Sequence, residues 1–301
     1  MSRDVAARTL ASGFSFLECP RWRAGRLYVS DFYTGRVLAF DIDGRHERIC
    51  EVSGQPSGLG FLPDGSLLVV SMIDRCVLRW RAGKLERYAD ISSLAAFHAN
   101  DMLVDEDGGA YVGNFGWDLT QAPTIRATTL ARIDPRGTVT AAAEDVVFPN
   151  GMVLADGGRT LLVAETFAAR ITAFDRDSGG LLSNRRVWAR LAPDAFTSVP
   201  AAIASGAALP DGMAIDAEGA VWIGDAGGRA ALRVARGGAI LDRVDTGELT
   251  PYAVALGGPD GRTLFICASP PLFTADPSVE RRSSLMSCTV AVPAATAGAR
   301  R

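Results

Sequence analysis

Histidine and paired cysteine are the residues that this sequence lacks most plainly. The 301 residues include only two histidines, His46 and His98, and five widely spaced cysteines with no Cys-x-x-Cys pair. Disulfide frameworks and thiolate zinc sites need paired or closely spaced cysteines. The sequence therefore excludes both, together with a histidine-rich metal site, and favours reduced thiols that are buried in the core.

Long hydrophobic runs and an excess of one charge are also missing. No apolar stretch approaches the roughly 18 residues of a membrane helix, and the N-terminal residues lack the apolar core of a signal peptide. The net charge is only −3, and the scattered basic residues form no stripe for a phosphate backbone. We expect a soluble, cytoplasmic protein that binds neither nucleic acid nor membrane. The oligomeric state stays open.

An internal repeat organises the chain. Each copy has an Asp/Gly turn, a short apolar run, a polar break and a second apolar run, and the copies lie at 25–41, 65–80, 109–134, 159–175, 219–234 and 262–288. Short runs rich in Val, Ile, Leu and aromatic residues, bounded by Gly, Asp or Pro, are typical of strands. Repeats of about 40 to 50 residues with this pattern indicate a propeller. The prediction is an all-β, six-bladed β-propeller that forms a single domain over residues 1–301.

Each blade is expected to have four strands. Weaker segments at 85–88, 186–188 and 241–244 read as outer, solvated strands. The sixth copy has no clear outer strand, whereas an extra segment at 7–10 precedes the first copy. We therefore predict that the N-terminal strand completes the last blade and closes the ring, which would remove the exposed strand edges of an open ring.

Short polar residues recur at one position of the segment that precedes each turn, which we expect to be the innermost strand of its blade. Counting back eight residues from the turn glycine, or seven in the first copy, gives Glu18, Ser57, Asp101, Asn150 and Asp211. Pseudo-symmetry predicts that these side chains converge at one mouth of the central channel. Buried oxygen groups and neighbouring carboxylates are costly unless something satisfies them. A bound divalent cation would pair with the oxygen atoms and offset the repulsion between the carboxylates. Oxygen donors suit Ca²⁺, Mg²⁺ or Mn²⁺ better than Zn²⁺.

A simpler interpretation is that the Asn-Gly and Asp-Gly pairs at 150–151 and 211–212 are ordinary turn dipeptides. Their recurrence at one repeat position, together with a Glu in a different context, argues against it. The later Asp-Gly pairs at 64–65, 107–108, 156–157 and 260–261 recur in most copies. These we interpret as structural turns.

At these residues the sequence resembles the family of senescence marker protein (regucalcin), gluconolactonases and related lactonases. The likeness extends from 16–22 to 262–266, and its most specific pieces are 148–152 and 210–213. It implies a metal ion held by Glu18, Asn150 and Asp211, most readily Ca²⁺, with Mg²⁺, Mn²⁺ or Zn²⁺ as alternatives. It also implies that Asn100 contacts substrate or metal, and Asp101 beside it resembles the Asn-Asp pair of paraoxonase-type propellers.

Many members of that family hydrolyse sugar lactones, so the resemblance implies a hydrolase with a small-molecule substrate. Two positions depart from the gluconolactonase pattern. His98 stands where an Arg is expected, and only Gln121 is found where a substrate-contacting Glu is expected. The stretch 113–118 is aromatic instead. These departures leave a less hydroxylated, more apolar lactone open.

The expected chemistry is polarisation of a lactone carbonyl by the ion, followed by attack of water. Asp211 is the first candidate for the base and Asp101 the second. His98 is the third, because its ordinary pKa lies near neutrality, and we place it among the substrate-binding residues.

Three aromatic residues, Phe14, Trp117 and Phe167, are candidates for the pocket wall, although each could equally pack between blades. The segment 192–209 makes the spacing between the fourth and fifth copies the longest, and its composition suggests a lid or rim loop.

Two other functions remain open at this point. A phosphotriesterase-like or non-hydrolytic enzyme could use the same ion, and a binding propeller could hold it for structure alone.

Overall fold

The computed structural model describes residues 4–121, 124–193 and 196–295, and its strands form six separate sheets. Two strands, β1 (Asp4–Ala6) and β2 (Arg8–Phe14), precede the first blade. The first blade contains β3 (Leu17–Arg23), β4 (Arg26–Asp31), β5 (Arg36–Phe40) and β6 (His46–Glu51). The second contains β7 (Pro56–Phe61), β8 (Leu67–Ser71), β9 (Cys76–Arg81) and β10 (Lys84–Asp90). The third contains β11 (Ala99–Val104), β12 (Ala110–Asn114), β13 (Thr128–Ile133) and β14 (Val139–Val146).

The remaining blades follow the same order. The fourth contains β15 (Pro149–Ala155), β16 (Thr160–Glu165), β17 (Arg170–Arg176) and β18 (Leu182–Arg190). The fifth contains β19 (Pro210–Ile215), β20 (Val221–Asp225), β21 (Ala230–Val234) and β22 (Ile240–Asp245). The sixth contains β23 (Thr250–Gly257), β24 (Thr263–Ser269) and β25 (Ser283–Thr289). Within the described residues, the other regular elements are one α-helix, α1 (Val199–Ala204), and three short 3₁₀ turns.

The N-terminal strand closes the ring, as predicted. β2 pairs antiparallel with β25 and supplies the fourth strand of the sixth blade. β1 then pairs parallel with β22 and adds a fifth strand to the fifth blade, which the sequence did not indicate. The prediction of six mostly four-stranded blades is confirmed.

The first strand of each blade lies at the centre. β3, β7, β11, β15, β19 and β23 contact one another in succession around the channel, and β7 and β23 are almost entirely buried. The fourth strands are solvated, since most residues of β6 and β10 are exposed or half-buried. The segments predicted as outer strands fall in β10, β18 and β22, so that assignment is also confirmed.

A β-bulge interrupts the innermost strand of each blade near its first residues. The pairing skips residues between 18 and 21, 56 and 59, 99 and 102, 149 and 152, and 210 and 213, with a further shift between 251 and 253. A bulge re-aims the side chains that it contains. In β3, β11, β15 and β19 the bulge places Glu18, Asn100, Asn150 and Asp211 at the same end of the channel. Ser57, at the matching position of β7, was predicted to join them but is buried beside Cys19 instead.

Glycines beside these bulges let neighbouring innermost strands approach closely. A Cβ at Gly151 would lie 2.4 Å from the carbonyl oxygen of Asp211, and a Cβ at Gly212 would lie 2.5 Å from the Cβ of Ala253. Both glycines lie inside strands, so the interpretation of these dipeptides as turns is wrong. The later Asp-Gly pairs do form turns, and all four of their glycines have positive φ.

The one α-helix of the described residues, α1, has six residues. No helix in those ranges has the length and apolar character needed to cross a bilayer.

Candidate functional site

A cavity of about 490 Å³ opens at the mouth of the channel where the bulges lie. Its lining includes four oxygen-bearing side chains from four different blades, Glu18, Asn100, Asn150 and Asp211. Their exposed fractions are only 6, 5, 5 and 6%, so the four residues form a polar floor deep in the protein. The structure thus brings together the three predicted metal ligands and the predicted substrate contact.

Asn100 occupies the repeat position that the sequence analysis gave to Asp101. Ala99 of β11 pairs with the last residue of β12, just as Pro149 of β15 pairs with the last residue of β16. Ala99 and Pro149 are therefore equivalent, and so are the residues that follow them, Asn100 and Asn150. A shift of one residue along a strand turns the side chain to the opposite face. The equivalence assigned to Asp101 was wrong by one residue.

Asp101 is buried but does not line the cavity. Its Oδ1 accepts hydrogen bonds from Arg21 Nη2 and from the Met102 backbone N–H, both at 2.7 Å. Arg21 also donates to the Met102 carbonyl oxygen at 2.6 Å. This ion pair holds the Asp101 carboxylate away from the cavity, so its assignment as the second candidate base is not supported by its position.

The two carboxyl groups of the floor are strongly perturbed. Burial raises the pKa of Glu18 to about 8, and the charge of Asp101 adds to this, whereas the Cys19 N–H and Arg21 oppose it. Burial also raises the pKa of Asp211 well above its usual range, and the charges of Glu18 and Asp101 raise it further. Burial therefore favours the protonated form of both carboxyl groups, and a bound cation would favour the ionised form.

The donor atoms of the floor fit a hard divalent ion. Asp211 Oδ1 is buried without a hydrogen-bond partner. Asn150 Nδ2 donates to Thr166 Oγ1 at 3.3 Å, which leaves the amide oxygen for a ligand. With Glu18, the set is two carboxylates and one amide oxygen, which is a donor set that suits Ca²⁺. No cluster of three or more His, Cys, Asp or Glu side chains is arranged for a metal within 4–121, 124–193 and 196–295; here the third donor is an amide.

Buried acids at the ends of the second strands hold the segments that lead into the floor. Each accepts the N–H of a residue two or three positions before a floor residue: Asp31 Oδ1 from Phe16 at 3.1 Å, Glu165 Oε2 from Val147 at 2.7 Å, and Asp225 Oδ1 from Leu209 at 2.9 Å. The sequence analysis missed these residues. In the sequence, each of these acids ends the first apolar run of its repeat copy, and that shared position could have identified them.

The three aromatic candidates for the pocket wall lie in different places. Phe167 lines the cavity. Trp117 lies behind it, with ring centroids 5.7 Å from Phe148 and 6.1 Å from Phe167. Phe14 packs in the core shared by the first and sixth blades, 5.2 Å from His46. The placement of Phe14 in the pocket wall was therefore wrong, because β2 carries it into blade packing.

His98 lines the cavity and is half-buried. Its ring stacks on Phe97 at 4.1 Å. Burial lowers the pKa of the imidazole, and the charge of Asp118 opposes this only partly. The ring is therefore neutral at neutral pH. Gln121 is exposed and is not part of the cavity lining.

The predicted lid at 192–209 does not cover the cavity. None of its described residues lines the cavity. Instead, Val199, Ala202 and Leu209 pack in one cluster with Trp117 and Phe167. The segment supports the aromatic wall from behind. The rim is formed by another connection, between β24 and β25, which contributes residues 270–273, 275 and 277. Tyr252 and Ser269 of the lining were also missed.

Six blades around a channel define a β-propeller, and the oxygen-lined cavity at one mouth is its candidate site. A family model described as the SMP-30/Gluconolactonase/LRE-like region matches residues 16–269, so the chain belongs to that family. The family predicted from the sequence motifs is thus confirmed.

Two similar proteins are named as lactonases. The chain is 28% identical to pentonolactonase XacC of Haloferax volcanii over 83% of this chain and 80% of that protein. It is 25% identical to 6-deoxy-6-sulfogluconolactonase of Pseudomonas putida over 84% and 82% of the two chains. The fold matches a calcium-binding regucalcin from Agrobacterium tumefaciens, with a TM-score of 0.78 and 19% identity over 97% and 96% of the chains.

Proposed function

We propose that this protein is a metal-dependent lactonase that opens a cyclic ester at the channel mouth. The observation that carries the proposal is the convergence of Glu18, Asn100, Asn150 and Asp211 on one buried floor. Such a group of oxygen atoms, left partly unpaired, is a poor structural core but a good site for a cation and a carbonyl. The named lactonases in the same family support the reaction class.

Glu18, Asn150 and Asp211 would hold the ion, and their hard oxygen atoms favour Ca²⁺, with Mg²⁺, Mn²⁺ or Zn²⁺ as alternatives. When bound, the ion supplies Lewis-acid polarisation of the ester carbonyl and balances the charge of the two carboxylates. Thr166 fixes the Asn150 side chain through its hydroxyl, which in turn donates to the Pro210 carbonyl at 2.8 Å. This chain of contacts ties the fourth blade to the fifth at the site.

Asp211 is the residue that accepts the proton of the attacking water. Its carboxylate lines the cavity, and Oδ1 has no other partner. Asn100 Nδ2 is likewise buried without an acceptor, and it donates to the substrate oxygen on which negative charge develops. His98, neutral and at the side of the floor, contacts the ring of the bound ester.

A substrate panel tests this function. We expect the metal-loaded protein to hydrolyse five- and six-membered lactones with kcat/KM of at least about 10⁴ M⁻¹s⁻¹ for the best of them. Open-chain aryl esters and phosphotriesters serve as comparison substrates under identical conditions. Turnover confined to a phosphotriester would assign the alternative hydrolase, and a panel without any turnover would favour a propeller whose ion is structural.

The pKa of Glu18 gives a prediction for the metal-free protein. The folded value is about 8 and the ordinary value 4.5, so the folded state keeps a proton that the unfolded chain releases. The contribution of Glu18 to the free energy of unfolding is therefore fully present below about pH 4.5, and it is lost as the pH rises towards 8. Because Ca²⁺ binds the deprotonated carboxylates, we expect Ca²⁺ to raise the melting temperature more at pH 8 than at pH 5.

Differential scanning calorimetry at both pH values, with and without Ca²⁺, measures this difference. The matched control is Glu18→Gln, which keeps the size of the side chain but cannot titrate. In this variant the pH dependence of the Ca²⁺ effect should shrink. Equal Ca²⁺ shifts at pH 5 and pH 8 in the unmodified protein would contradict the assignment of Glu18 as a ligand.

A further inference from the structure

Aromatic rings form most of the wall above the polar floor. Phe148 stacks on Phe115 at 4.7 Å and meets Phe167 edge-on at 4.8 Å. On the other side, Phe16 lies 4.7 Å from Tyr252. All five rings line the cavity. They form an aromatic surface from the first, third, fourth and sixth blades, directly beside the floor residues.

Several polar groups of this wall are engaged within the protein, whereas Gln55 and His98 also line the cavity and can each meet one polar group of a substrate. Tyr252 donates its hydroxyl to the Pro270 carbonyl at 3.1 Å, and Thr166 donates to Pro210. Asp118 Oδ1 accepts from the N–H and hydroxyl of Thr120 at 2.8 and 2.7 Å. No Lys or Arg of the described residues lines the cavity. A substrate with hydroxyls around its ring would leave several of them without partners, which is costly.

The unpartnered polar atoms lie low in the cavity. Asn100 Nδ2, Asp211 Oδ1 and Ser269 Oγ are buried without hydrogen-bond partners, and all three residues line it. Together with the carboxylate of Glu18, they match the requirements of one ester group and one water. They do not match a polyhydroxylated ring.

The rim is apolar as well. Tyr33, Ile73 and Phe273 are 42, 47 and 64% exposed, and each of them lines the cavity. Exposed large apolar side chains that gather at a cavity mouth mark a binding surface. The volume of about 490 Å³ lies within the range of about 300 to 1,000 Å³ that accommodates drug-sized ligands. An unsubstituted lactone ring would leave much of it unfilled.

From these observations we propose that the substrate is a lactone with an apolar substituent, an alkyl or aryl lactone, rather than a sugar lactone. The proposal rests on the lactonase function proposed above. The ester group lies on the floor beside Asn100 and Asp211. The substituent extends along the aromatic wall towards Phe273 at the rim.

A chain-length series tests the substrate class. Each methylene that is buried is worth about 0.8 kcal/mol, or roughly three- to fourfold in kcat/KM. From γ-butyrolactone to γ-nonalactone we therefore expect a rise of about 100-fold or more, since five methylene or methyl groups enter the cavity. Glucono-δ-lactone should be a poorer substrate than γ-nonalactone. A flat series, or a preference of tenfold or more for glucono-δ-lactone, would overturn the proposal.

Binding of non-hydrolysable lactams separates this proposal from the catalytic one. Calorimetry with the metal-loaded protein should show that 5-pentylpyrrolidin-2-one binds at least tenfold more tightly than pyrrolidin-2-one. If the pentyl lactam binds at least tenfold more tightly but no lactone is hydrolysed, the lactonase function is wrong and the apolar ligand class stands. Equal or undetectable binding of the two lactams would overturn the apolar class whatever the turnover.

Rim variants locate the substituent. Phe273→Ser should lower kcat/KM for γ-nonalactone about fivefold or more, and should affect γ-butyrolactone much less, because only the long chain reaches the rim. The matched control is Leu181→Ser, at a residue that is 68% exposed and does not line the cavity. Equal effects of Phe273→Ser on both lactones would contradict the placement of the substituent.

Discussion

Asp211→Asn is expected to lower kcat/KM for lactone hydrolysis by about 1,000-fold or more, while the protein stays folded. The asparagine keeps the volume of the side chain, but it removes an anionic ligand and the only proton acceptor assigned to the floor. Loss of a general base alone typically costs 10²- to 10⁴-fold. Steady-state kinetics of the metal-loaded variant measures this effect.

The same substitution should not destabilise the metal-free protein. Burial and the charges of Glu18 and Asp101 raise the pKa of Asp211, so folding at pH 8 must either protonate this carboxyl group or bury its charge, and a neutral amide avoids that cost. We expect the melting temperature of metal-free Asp211→Asn to equal or exceed that of the unmodified protein. This combination of lost activity with retained stability distinguishes a functional residue from a structural one.

Asp260→Asn is the matched control for this substitution. Asp260 lies in an exposed turn, where its Oδ1 accepts from the Arg262 N–H at 3.1 Å, and it does not line the cavity. Its kcat/KM should stay within about twofold of the original value. A kcat/KM of Asp211→Asn within tenfold of the unmodified protein would contradict the role given to Asp211.

Gly151→Ala is expected to have the largest effect on stability, because the added methyl group meets only backbone. Its Cβ would lie 2.4 Å from the Asp211 carbonyl oxygen and 2.6 Å from the Met213 nitrogen. Backbone atoms cannot rotate away, so β15 and β19 must separate. Overpacking costs about 1 to 3 kcal/mol and occasionally more, and we expect at least about 3 kcal/mol here. Activity should fall as well, since Asn150 and Asp211 would move apart.

Chemical denaturation and kinetics of this variant test both effects. Gly179→Ala is the control, because a Cβ there meets only Asp177 Oδ1 at 3.4 Å, an ordinary contact. Its unfolding free energy should change by less than about 0.5 kcal/mol. If Gly151→Ala matched this control in stability and activity, the close approach of the two innermost strands would not be needed for the site.

The ring and most of the floor could be predicted from the sequence, because both follow from a repeat. A turn with a glycine of positive φ follows most of the innermost strands, and a count of eight residues back from that glycine reaches Asn150 and Asp211. The count failed in the third blade, where it began at Gly109. The turn glycine with positive φ is Gly108, and eight residues before it lies Asn100. One residue was enough to exchange a cavity side chain for one that pairs with Arg21.

The aromatic wall could not be predicted in the same way, because most of its rings come from connections between strands, whose conformations the strand periodicity does not set. Phe14 and Phe167 are similar in local sequence character, yet β2 carries Phe14 into the core and the turn after β16 places Phe167 at the cavity. The rim residue Phe273 belongs to the connection between β24 and β25, which is much longer than the matching connections of the first, second, fourth and fifth blades. Such positions depend on tertiary packing rather than on periodicity.

The metal dependence of turnover tests the central claim most directly. The protein is stripped with a chelator, the absence of metal is verified by elemental analysis, and Ca²⁺ is titrated back while lactone hydrolysis and bound metal are both measured. We predict that turnover falls by about 1,000-fold or more on stripping and returns in full when one equivalent of Ca²⁺ per chain has bound. Full turnover in protein verified to be free of metal would contradict the account.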